Sequence, residues 1–173
     1  MKKTVILTLL LTTQTLFSKS NTELLGDVLA VSIPAVAYGT TLYTNDNEGE
    51  KEFYRAYGTT IGTAVLLKTL VKEERPDKSN ERSFPSGHTA SAISDAIFIH
   101  KRYGIEYAIP AYLGAIYTGY SRVHSQKHFK HDVLTGAIVG TLSTLYFTTS
   151  YKGVEVKAQL DSDYQGIKLS YDF

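Results

Sequence analysis

The sequence predicts an all-α fold, a bundle of about five to six helices with a short C-terminal β-hairpin. Two patterns and one size argument lead there. Apolar stretches of helical length alternate with short polar connections up to residue 151. Beyond that point the periodicity drops to two. A chain of 173 residues, 43% of them hydrophobic, can build one core and is short for two full domains. The absence of Cys excludes a disulfide scaffold, a thiolate metal site and a cysteine nucleophile. A net charge of +1 excludes a highly charged disordered chain, and no long basic run could track a nucleic acid. A mean hydropathy of −0.12 argues against a chain made mostly of lipid-buried helix.

The elements follow in order. Lys2 and Lys3, an apolar run over 4–17 and the small residues Ser18 and Ser20 form the pattern of a secretory signal cleaved after Ser20. Its removal takes away three lysines and leaves a mildly acidic, exported chain. Retention as an anchor is the rival reading, for which the apolar run is short. Residues 21–151 form the helical domain. Within it, residues 24–44 are apolar apart from Asp27 and end in a polar loop at 45–50. A second helix is expected over 53–71, then a charged connection over 73–84 in which Pro76 blocks helix continuation. A third covers 86–103 and stops at Gly104; a fourth covers 107–120. The polar segment 121–130 leads into a last helix ending near residue 150, with Asp132 in its first turn. Residues 152–173 form the expected hairpin: Val154, Val156, Ala158 and Leu160 alternate with polar residues, as do Ile167, Leu169, Tyr171 and Phe173. An isolated hairpin is marginal, so its apolar face must meet the helices, a partner or lipid.

Three polar clusters interrupt the apolar helices. The first is Lys68 with Arg75 and Pro76, the second Pro85-Ser86-Gly87-His88, and the third Ser121, Arg122, His128 and Asp132. Ser86 and Gly87 precede a helix, where unpaired backbone N–H groups and the positive dipole end can hold an anion. Gly87 has no Cβ to keep that anion away from the backbone. His88 beside it can donate a proton. His128 and Asp132 lie four residues apart and share a helical face. A carboxylate on one imidazole nitrogen fixes the tautomer and leaves the other lone pair for attack, as a histidine nucleophile requires. Arg122 offers planar, bidentate donors suited to phosphate oxygens, and Lys68 and Arg75 add two more cations. Read singly, each cluster is as well explained by a cap, a surface ion pair or a solvated loop.

Jointly they carry more. The spacings K-x6-R-P, P-S-G-H and S-R-x5-H-x3-D occur in this order without a mismatch. The sequence resembles the type 2 phosphatidic acid phosphatase family, whose relatives include bacterial acid phosphatases and vanadium-dependent haloperoxidases. The resemblance spans Lys68 to Asp132 and, with flanking helices, residues 24–150; the tail lies outside it. It implies that Lys68, Arg75 and Arg122 grip phosphate and that Ser86 and Gly87 hydrogen-bond the phosphoryl oxygens. It further implies that His128 attacks phosphorus, that Asp132 orients it, and that His88 protonates the leaving oxygen. The implied enzyme is a phosphatase acting on phosphomonoesters or pyrophosphates, with no cofactor. No metal is expected: His124 and His131 flank His128, but a cation on His128 would consume the lone pair needed for attack. His124 reads as a loop residue or a contact behind the site, and Asp95 with His100 as a solvent- or bundle-facing pair.

The expected partner is a phosphate-bearing lipid of the lipid A, polyprenyl pyrophosphate or phosphatidate type. A soluble periplasmic acid phosphatase of broad range is the alternative, ahead of a haloperoxidase or a phosphate- or lipid-binding module without turnover. Residues 28–45 and 133–151 are charge-free over a spanning length, whereas 107–121 falls short. Tyrosines near helix ends, among them Tyr43, Tyr120 and Tyr146, suit an interfacial belt. These features predict a periplasmic protein associated with a membrane.

Overall fold

A computed structural model describes residues 20–151 and the backbone of 155–160 and 165–170. The expected signal lies outside the described residues. Five α-helices are described: α1 (Asn21–Tyr43), α2 (Asn47–Leu70), α3 (Gly87–Tyr103), α4 (Ile105–His124) and α5 (Lys130–Phe147). Glu155–Leu160 and Gln165–Ser170 run antiparallel, with Glu155 opposite Ser170 and Leu160 opposite Gln165. The connection between these strands, and their side chains, lie outside the described residues.

Local chemistry sets the helix ends. The Ser20 hydroxyl accepts from the Glu23 N–H at 3.2 Å and starts α1. Asp46 does the same for α2 through the Gly49 N–H at 2.9 Å. That cap starts α2 at Asn47, six residues before the expected start, so part of the anticipated loop is helical. The α3–α4 joint is Gly104 alone, at φ 115°, a backbone region that favours glycine. Helix α4 runs past the expected end at Tyr120 to His124, and α5 stops at Phe147.

Helix α3 is the central element, packed by α1, α2, α4 and α5. Its contact with α5 is close because of two glycines. A Cβ on Gly136 would fall 2.4 Å from the Ser86 carbonyl, and one on Gly140 would fall 2.4 Å from that of Ala90. The interior is built from small residues, with Ala37, Ala90, Ala92, Ala96 and Ala108 fully buried beside Phe53 and Phe98. Hydroxyls cross the core as well: Thr60 donates to Ser94 at 3.2 Å, and Ser94 meets Thr144 at 2.8 Å. Asp95 and His100 do not form the expected pair. Asp95 is 1% exposed, whereas His100 faces outward and its Nδ1 lies 2.9 Å from the Tyr112 hydroxyl.

The starts of α1, α3 and α5 and the ends of α2 and α4 meet at one end of the bundle. The opposite end is closed by a buried ion cluster. Arg102 Nε donates to Asp46 at 2.7 Å and Nη1 to Glu52 at 3.1 Å, while Thr149 donates to Glu52 at 2.7 Å.

Candidate active site

All eight residues singled out in the sequence lie at the end where α3 and α5 begin. Lys68, in the last turn of α2, points its ammonium at the segment leading into α3. It donates to the carbonyls of Arg82 at 3.0 Å, of Ser83 at 3.3 Å and of Pro85. Arg75 sits in a turn closed by its N–H to the Asn80 carbonyl at 2.9 Å. Its side-chain Nε is buried with no hydrogen-bond partner among the described residues.

Ser86 caps α3 and is fully buried; its hydroxyl lies 3.0 Å from that of Thr89 and 3.4 Å from the Thr89 N–H. Its own N–H donates to the Asp132 carbonyl at 3.0 Å, fastening the α3 start to the first turn of α5. Gly87 follows. The nearest neighbour of a Cβ there would be Lys68 Cε at 3.9 Å, so protein packing does not require the glycine. What the missing Cβ preserves is open approach to the backbone at a helix N-terminus.

His128 lies in the α4–α5 connection, one residue before the Phe129 cap, and is 3% exposed. Its Nδ1 lies 3.5 Å from Asp132 Oδ2, beyond hydrogen-bond length but directed along the expected pair. Such contacts are often long before substrate binds. Asp132 is fully buried, and its Oδ2 accepts from the Ser83 hydroxyl and from the Phe129 N–H at 2.8 Å. The carboxylate therefore caps α5 while facing His128, which fixes its position twice over. Burial, and then the Lys68 and Arg75 charges, push the His128 imidazole down to about 4, with Asp132 opposing. The ring is thus expected to stay neutral down to about pH 4, a titration that histidine NMR reads directly. A midpoint near the ordinary histidine value would contradict the burial described.

Arg122 reaches the site from the end of α4 and is 2% exposed. It is held by α1: Nη1 donates to Asp27 Oδ1 at 2.6 Å and Nη2 to the Glu23 carbonyl at 2.7 Å. The same Asp27 oxygen lies 3.2 Å from Nε2 of His88. Sequence reading missed two members of this constellation. Ser83 left no signal; Asp27 did, as the lone charge in an otherwise apolar stretch.

The remaining histidines have other neighbours. His124 stacks on Tyr120 at 5.3 Å. His131 lies 2.9 Å from Glu73 Oε1 and 3.2 Å from Asp132 Oδ1. Glu73, His131 and Asp132 place three ligand atoms within 4.8 Å of one another, a spacing that could hold a cation. A cavity of about 540 Å³ opens at the other end of the bundle, lined by Val36, Tyr43, Arg102 and Tyr107 among others. It holds none of the eight residues, so the chemistry and not the cavity size identifies the site. Two imidazoles, three cations and an open helix N-terminus can bind a tetrahedral oxyanion, attack it and protonate a leaving atom.

The chain is similar to several known proteins. A family model described as the PAP2 superfamily matches residues 4–154. The lipid A 4'-phosphatase of Helicobacter pylori is 30% identical over 159 residues, covering 83% of this chain and 79% of that protein. The lipid A 1-phosphatase of Porphyromonas gingivalis is 44% identical over 71 residues. That match covers 39% of this chain and spans only 16% of the longer relative. The crystal structure of Aquifex aeolicus LpxE aligns with a TM-score of 0.55 at 25% identity, covering 75% of this chain and 87% of that one.

Proposed function

The chain belongs to the PAP2 superfamily, and from that premise we propose that it is a lipid phosphatase that hydrolyses phosphomonoester or pyrophosphate groups through a phosphohistidine, without a metal. The observation that carries this reading is the setting of His128. It is a buried imidazole kept unprotonated beside two cations, with a doubly anchored carboxylate 3.5 Å from Nδ1. In the proposed reaction Lys68, Arg75, Arg122 and the amides at the start of α3 hold the phosphoryl oxygens. Nε2 of His128 bonds to phosphorus as the bond to the leaving oxygen breaks, and His88 gives that oxygen a proton. Water then adds to phosphorus, losing a proton to His88, and His128 departs. Stabilising three equatorial oxygens is the main demand on the site, and cations with helix-end amides meet it.

The outer surface supports a lipid substrate. On α5, Leu134, Ile138, Leu142 and Leu145 form an exposed stripe, and on α4 Ile109, Leu113, Ile116 and Tyr120 form another. With alanines and hydroxyls inside and leucines outside, the bundle suits apolar surroundings. One described helix, Asn21–Tyr43, is long and apolar enough to cross a membrane. The low mean hydropathy averages these stripes with a charged end and a polar tail. The lipid A phosphatases among the relatives point to the same substrate class. We read the protein as periplasmic and membrane-associated, with a signal over 1–20, the helical domain over 21–151 and a hairpin over 152–173 appended to it.

A panel of lipid A, a polyprenyl pyrophosphate, phosphatidate and a soluble aryl phosphate, assayed in chelator, tests this reading. Preference for a lipid phosphate, with the protein retained in carbonate-washed membranes, is the expected result. Release into the wash with no lipid preference would leave the soluble acid phosphatase, and loss of activity in chelator would remove the metal-free mechanism.

A further inference from the structure

Asp27 stands outside the three polar motifs, on a helix that contributes none of the residues expected from sequence. Its Oδ1 nevertheless lies 2.6 Å from Arg122 Nη1 and 3.2 Å from His88 Nε2. One carboxylate oxygen thus joins a phosphate-gripping cation to the group assigned to leaving-atom protonation. The packing holds it there. A Cβ on the neighbouring Gly26 would fall 2.7 Å from Arg122 Nη2 and 1.9 Å from Ser121 Oγ, so α1 rests directly on the end of α4. Arg122 also donates to the Glu23 carbonyl at 2.7 Å and to the Ser121 hydroxyl at 3.0 Å.

His88 has a difficult electrostatic setting. Arg122 shares the Asp27 oxygen with it, and Lys68 lies beside the preceding Gly87. Nearby cations disfavour an imidazolium, yet a proton donor must carry its proton before the leaving bond breaks. We infer that Asp27 is a positioning residue that keeps His88 doubly protonated. This rests on the phosphatase reading given above. Asp27 accepts the Nε2–H, and the Nδ1–H is the proton transferred. As the bond from phosphorus to the leaving oxygen breaks, that oxygen takes the Nδ1 proton, and the neutral ring keeps Nε2–H on Asp27. In the second half, water loses a proton to Nδ1 while its oxygen bonds phosphorus. The P–N bond breaks at the same time, and its electron pair returns to His128.

A comparison of leaving groups separates this role from a structural one. A p-nitrophenolate leaves without help, whereas a long-chain alkoxide needs the proton. Asp27→Asn should lower kcat for dodecyl phosphate by about 100-fold and for p-nitrophenyl phosphate by less than about threefold, with KM little changed. Asp27→Glu should restore part of the alkyl activity. Both substrates are read on one preparation, so loss of folded protein cancels in their ratio. An equal loss on both substrates, or no loss on either, would overturn the inference. His128→Ala run alongside keeps the two readings apart. Full activity of that variant would remove the phosphohistidine mechanism, whereas its inactivity beside a wild-type-like Asp27→Asn would remove only the role of Asp27.

Discussion

His128→Ala should lose at least about a thousandfold in turnover on every phosphate substrate, because it removes the only atom assigned to attack phosphorus. The loss should fall on kcat. Lys68, Arg75 and the start of α3 remain, so inorganic phosphate should still raise the thermal midpoint of the variant. The substitution is cleaner than one at Asp132. The Asp132 carboxylate accepts from Ser83 and from the Phe129 N–H at 2.8 Å, so its loss strips a helix cap as well as an orienting group. His128 caps no helix: its ring meets Asp132 at 3.5 Å and the Ser83 backbone. Near-normal phosphate release by His128→Ala would contradict the account.

The second large effect is on stability and lies at the other end of the bundle. Arg102→Leu should lower the thermal midpoint by about 10 °C, as the loss of one partner from a buried ion cluster costs roughly 3–5 kcal/mol. Arg102 satisfies Asp46 at 2.7 Å and Glu52 at 3.1 Å and donates to the Thr149 carbonyl at 3.2 Å. It thereby ties the α1–α2 turn, the end of α3 and the segment after α5. The Leu variant leaves two carboxylates buried without their cation. Adding Asp46→Asn and Glu52→Gln to Arg102→Leu should recover part of the midpoint, because the uncompensated charge is then gone. An unchanged midpoint in Arg102→Leu would show that the cluster carries no stability.

What sequence could and could not reveal follows from the range of each interaction. The helices were legible because they are spelled by local periodicity and by caps such as Ser86, with Gly104 as a stop. The start of α2 was not, because Asn45 to Glu50 is rich in loop formers. Asp46 nevertheless acts as a cap through the Gly49 N–H. The gathering of eight residues at one end of the bundle was legible because their spacings are fixed within and between three short motifs. The partners of Asp27, Ser83 and Arg102 were not, since each acts on residues distant in the chain. Asp27 meets His88 and Arg122 only after α1 has packed against α3 and α4. The buried Asp95 shows the same limit. Helical spacing places it near His100 on one helix, but tertiary packing buries the first and exposes the second.

The central claim is that phosphorus is carried on His128. Rapid acid-free quenching of turnover with a radiolabelled phosphate substrate, in chelator, tests it most directly. The account predicts a protein-bound phosphate that survives alkali, is lost in acid, maps to the peptide containing His128, and is absent from His128→Ala. Steady turnover with no such label, or a label on another residue that persists in His128→Ala, would contradict it.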